Sequence, residues 1–170
     1  MSEIAAIQPP AAQRSILDHY WRRVARLGAI GAFVIIFIAL VGMPLSLDTK
    51  MVIAGTLSLG YLSLVWVPFA VGMASASQVS LEGVDAPKRG VRELTGGALT
   101  GLVSGLGISL LMLLIDTFDL KEPFVWWIDR NNEFLSLPGL SLSEGMLLWP
   151  LIGATLGLIG AAILIAPRRL

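Results

Sequence analysis

The chain has 170 residues, 55% of them hydrophobic and 14% charged, and its 12 basic and 12 acidic side chains cancel to a net charge of zero. With no cysteine, and with its single histidine, His19, in a polar segment near the start, the chain excludes disulfides, thiolate metal sites, iron–sulfur ligation, a cysteine nucleophile and a histidine-ligated haem inside a membrane. It has no long basic tract, and its arginine clusters flank apolar runs, which suits anionic lipid headgroups better than nucleic acid.

Four stretches, residues 27–47, 51–81, 94–115 and 145–167, contain no charged side chain. At a rise of about 1.5 Å per residue, about 20 apolar residues cross a hydrocarbon core of about 30 Å, so each run is long enough to span. Burying four such helices in water would need a polar outer layer that 24 charged residues cannot supply. The expected fold is an all-α integral membrane protein: a single domain over 1–170, in which four transmembrane helices form a bundle of two antiparallel hairpins. The spans are expected at about 27–47, 51–76, 94–115 and 145–166. An arm with an interfacial helix occupies 1–26, and an outer loop with a short amphipathic helix occupies 116–144.

The basic residues sort by side. One crossing per run puts Arg14, Arg22, Arg23, Arg26, Lys88, Arg89, Arg92, Arg168 and Arg169 on one face and Lys50, Lys121 and Arg130 on the other. Basic residues are retained on the cytoplasmic side during insertion, so both termini and the connection between spans two and three are expected there. The expected location is the inner membrane of a bacterial cell.

In chain order, Pro9 and Pro10 stop any early helix, and Ile16, Leu17, Tyr20, Trp21 and Val24 then recur at helical spacing with Arg22 and Arg23 opposite. This predicts an interfacial helix feeding the first span, which is retained as a signal anchor because its apolar run starts too late for a cleavable signal. Residues 46–50 predict a tight hairpin between spans one and two. The second helix is expected to end near 74–77, with residues 78–93 as the cytoplasmic connection. Pro68 lies inside the second span, where it deprives the Leu64 carbonyl of its helical donor and predicts a kink.

The third span carries Gly97, Gly101 and Gly105 at four-residue spacing, and the fourth carries Gly153 and Gly157 in the same spacing, followed by Gly160 and Ala161. Such spacing lines up small residues on one helix face and predicts close helix contacts, either between these two spans or between subunits. In the outer loop, Pro123 suits a first helical turn, and Phe124, Trp127, Ile128, Phe134 and Leu135 form an apolar stripe. Trp126 and Trp127 there, with Trp21 on the other side, are the expected membrane-interface aromatics. Ser141 and Glu144 have capping-box spacing and predict the start of the fourth helix, with Pro150 bending it or marking a later start.

No catalytic constellation emerges. The outer-loop acids Asp116, Asp119, Glu122, Asp129, Glu133 and Glu144 lack EF-hand spacing, a histidine partner or a nucleophile motif, and read as a solvated loop. Gly83, Gly90 and Gly96 are not followed by Gly-Lys-Ser/Thr, so no phosphate loop is present. No span has a charge near its middle, which disfavours a proton-coupled pump. Neither an enzyme nor a bound cofactor is expected.

The hydrophobic layout resembles the amino-terminal membrane region of some bacterial branched-chain amino-acid ABC transporter permeases. The likeness rests on the arginine-bearing segment 22–26 leading into residues 27–41, on Val41, Gly42 and Met43 at its end, and on Met51, Val52, Ile53, Ala54, Gly55, Thr56, Leu57, Ser58, Leu59, Gly60 and Tyr61. It continues more loosely through spans three and four. The resemblance implies passage of a small solute, ATP hydrolysis by separate cytoplasmic subunits and supply by an external solute-binding protein. Residues 78–93 hold no Glu-Ala-Ala-like coupling pattern, so the resemblance assigns no residue to ATPase docking and leaves the substrate-binding residues unknown. The chain is then the leading part of a longer permease, a split-gene product or a free accessory subunit. The alternative is a structural or assembly subunit of a membrane complex, whose partners are the bilayer and other membrane helices.

Overall fold

A computed structural model describes residues 11–41, 47, 51–53, 57–79, 86–118 and 141–168. Its described part is helical apart from one small strand pair: α1 (Ala11–Leu40), β1 (Met51–Ile53), β2 (Leu57–Ser58), α2 (Leu59–Val79), α3 (Ala86–Thr117) and α4 (Leu142–Ile165), closed by a 3-10 turn at Ala166–Arg168. All four helices are long and apolar enough to cross a membrane.

The helix starts follow from identifiable features of the chain and of the packing. α1 starts directly after the Pro9-Pro10 pair and runs 30 residues without interruption. The interfacial segment expected before the first span is therefore the first half of one continuous helix. It stays helical because Tyr20 and Val24 pack against Leu99 of α3, so its buried face continues into that of the span.

α2 begins at Leu59, not at Met51 as the charge-free run suggests. Met51–Ile53 pairs instead with Leu57–Ser58 in an antiparallel ladder. The Ser58 hydroxyl then accepts the Tyr61 amide at 3.3 Å, capping the helix where a spanning length of apolar residues still follows. Hydropathy alone cannot separate β-branched Val52 and Ile53 from a helical run. The segment that carries much of the permease resemblance is thus a strand pair leading into a helix.

α3 is longer than its charge-free stretch: it starts at Ala86 and takes in Lys88, Arg89, Arg92 and Glu93. The connection expected over 78–93 contracts accordingly, with Pro87 placed in the first turn, where its missing N–H costs nothing. α4 begins at the capping box, in which the Ser141 hydroxyl accepts the Glu144 amide while the Glu144 carboxylate accepts the Ser141 amide at 2.8 Å. Pro150 lies inside α4 and Pro68 inside α2. The amphipathic outer-loop helix, with Trp126 and Trp127, falls outside the described residues.

The packing is that of a membrane bundle. Ile35, Ala39, Leu64, Ile108, Met112, Ile115 and Trp149 form the main core, drawn from all four helices. Large apolar side chains also cover the outside, with Phe33 70% and Leu147 72% exposed, and with Trp66 and Leu110 exposed on α2 and α3. A water-soluble bundle of this size would place charge there; in lipid these side chains face a solvent as apolar as themselves.

Candidate functional site: a glycine seam and a buried polar end

The most extensive helix pairing is between α3 and α4, and glycines set its distance. A methyl group added at Gly101 would run into the Gly153 carbonyl oxygen and come within 2.9 Å of the Gly157 Cα. One added at Gly97 would lie 2.7 Å from the Gly157 carbonyl oxygen and 2.6 Å from the Ala161 Cβ. At Gly105 it would meet the Trp149 carbonyl and lie 2.9 Å from the Pro150 Cα. The contact is reciprocal, since Gly153 faces the Gly101 carbonyl and Gly157 the Gly97 carbonyl. Backbone lies on backbone, an arrangement that favours dispersion and weak Cα–H···O contacts and leaves no room for a solute between these helices.

α2 closes on the same point. A methyl group on Gly72 would strike the Gly157 carbonyl, and one on Gly160 would strike the Phe69 carbonyl. Gly157 is therefore a junction of α2, α3 and α4. α1 docks on α3 by similar means: Gly28 against Val103, Gly107 against Ala32, and Gly31 against the Ser104 hydroxyl. Spacing on spans three and four picks out five of these glycines. Gly28, Gly31, Gly72 and Gly107 carry no such repeat, and only the fold reveals their role.

Buried hydroxyls run along α3 beside the seam. Thr100 donates to the Gly96 carbonyl at 2.7 Å, and Ser104 donates to the Thr100 carbonyl at 3.0 Å and reaches the Gly28 carbonyl of α1 at 3.5 Å. Bonding back to their own helix satisfies these hydroxyls without water. Near the start of α3 the polarity increases. Glu93 is 3% exposed, with its Oε1 3.4 Å from the Arg89 Nε one turn earlier. The Tyr20 hydroxyl of α1 donates to the Arg92 carbonyl at 3.3 Å and shares a hydrogen bond with Thr95 at 3.2 Å. A methyl group on Gly96 would come within 3.1 Å of the Ser75 hydroxyl of α2 and 3.3 Å of the Tyr20 hydroxyl. Three helices thus meet at a polar point. The charge of Glu93 suggests a solvated connection, whereas its four-residue spacing from Arg89 is the one local sign of a helix.

Trp21 lies edge-on to Tyr20, with ring centroids 5.5 Å apart, and is 52% exposed next to this polar end. Of the outer-loop acids, Asp116 is exposed at the end of α3 and Glu144 caps α4. Asp119, Glu122, Asp129 and Glu133 lie outside the described residues. Among the described residues, no three of His, Cys, Asp and Glu gather as a metal-ligand group. Comparisons with protein families, curated proteins and solved structures return no match.

Proposed function

We propose that this chain is a membrane-spanning part of an ABC-type permease for a small solute, with branched-chain amino acids as the solute class its resemblance implies. ATP hydrolysis belongs to separate cytoplasmic subunits, solute delivery to an external binding protein, and no catalytic step to this chain. The chain sits multi-pass in a bacterial inner membrane, both termini cytoplasmic, with its helices arranged as two hairpins. The observation that supports this role most directly is the junction at Gly157, where α2, α3 and α4 touch through their backbones. Helices closed in this way form a rigid unit beside a conduit, and the transport path belongs to further helices docked on the exposed apolar faces of α2, α3 and α4.

The same junction favours the second reading, a structural or assembly subunit that stabilises a membrane complex. Purification in mild detergent and solute uptake separate the two. A permease part copurifies with an ATPase subunit, and its deletion abolishes uptake of the solute; intact uptake after deletion supports the assembly role and defeats the permease reading. Labelling at Asn131 from outside the cell tests the orientation, since the outer loop must be reachable there.

A further inference from the structure

The outward face of α1 joins a basic cluster to an apolar track. Arg22 and Arg26 lie one turn apart on this face, and Ile30, Phe33 and Phe37 continue it along the same side of the helix, 48%, 70% and 58% exposed. The face turns away from Tyr20, Val24, Ile35 and Ala39, which carry the contact with the bundle. Arg23 is exposed on its flank, and Asp18 is exposed one turn before Arg22. Three arginines against one aspartate leave an excess of positive charge.

We infer that this face binds one anionic phospholipid, with its phosphate held by Arg22 and Arg26 and an acyl chain laid along Ile30, Phe33 and Phe37. The geometry fits one leaflet. Side chains four residues apart on a helix lie about 6 Å from each other, so both guanidinium groups reach the same phosphate and can donate in pairs. From Arg26 to Phe37 the helix rises about 16 Å, close to half of a hydrocarbon core of about 30 Å. A lipid tail anchored at the arginines therefore ends where the aromatic track ends. Charge selects the headgroup: arginine offers a zwitterionic lipid the same phosphate contact, but an anionic lipid brings no choline to repel it.

The test uses the purified full-length chain in detergent, titrated with palmitoyl-oleoyl phosphatidylglycerol or the matching phosphatidylcholine, with bound lipid counted by native mass spectrometry. Wild type should retain the glycerol lipid in preference to the choline lipid. Each arginine near an anionic surface is worth about five-fold in affinity, so R22Q/R26Q should lose about 25-fold and bind both lipids alike. R22K/R26K, which keeps the charge, should hold most of the preference. Equal retention of the two lipids by wild type overturns the proposal even if a variant fails to fold. Undiminished preference in a folded R22Q/R26Q also overturns it, as does displacement of the lipid by inorganic phosphate or a protein chain found covering this face in the purified complex.

Discussion

The Ser109 hydroxyl of α3 donates to the Met146 carbonyl of α4 across 2.6 Å. Met146 lies four residues before Pro150, which has no N–H to complete that helical bond. A side chain from the neighbouring helix thus supplies the donor that the proline withholds, and α4 passes its proline while remaining helical from Leu142 to Ile165. The arrangement ties the seam to the main core, because Trp149, next to Pro150, packs in that core while its carbonyl faces Gly105.

Ser109→Ala should therefore cost more than an ordinary membrane hydroxyl, about 1–2 kcal/mol, because it strands a carbonyl in an apolar interior. In a Pro150→Ala background the cost should nearly vanish, since the new alanine returns an amide donor to the Met146 carbonyl. A double-mutant cycle by reversible unfolding in mixed micelles measures this, and strict additivity of the two substitutions would refute the link.

Substitution at the three-helix junction should be costly for its size. Gly157→Ala places a methyl group against the Gly97 carbonyl and within 2.9 Å of the Gly101 Cα, so about 1–3 kcal/mol is expected as the backbones part. Gly101→Leu should disrupt the pairing of α3 and α4 outright. Leu147→Ala, at an exposed position, should change little. Thermal melts in detergent should show the largest loss for Gly101→Leu and the smallest for Leu147→Ala, and an unchanged melt for Gly101→Leu would exclude the seam.

Gly31 and Ser104 should be coupled. The Ser104 hydroxyl occupies the space that a β-carbon on Gly31 would need, so Gly31→Ala should destabilise the docking of α1 on α3 by about 1–3 kcal/mol. Adding Ser104→Gly clears the space, and the double variant should recover part of the loss. Hydrogen exchange along α1 follows this directly; equal exchange in the single and double variants would argue against the contact.

Removal of the cap at the start of α4 should act locally. Ser141→Ala deletes the acceptor for the Glu144 amide and should cost about 1 kcal/mol. Amide exchange should rise in the first turn of α4 and stay unchanged around Gly157. A rise across the whole helix would mean that the cap governs more than its own end.

Much of this architecture follows from the sequence alone. Each of the four charge-free runs holds a helix long enough to span lipid, and the chain lacks the polar residues to cover four such helices in water. Ser141 and Glu144 mark the α4 boundary because a capping box is made between residues three apart, a purely local geometry. Tertiary structure decided the rest. α3 extends back past Glu93, whose side chain the bundle buries, and the start of the run expected as helix from Met51 instead pairs with Leu57–Ser58 as a strand. The meeting of Gly72 with Gly157, of Gly31 with Ser104 and of Ser109 with Met146 joins residues far apart in the chain. Helical periodicity states which face of a helix is small or apolar, but the choice of partner for that face depends on how all the helices fit together at once.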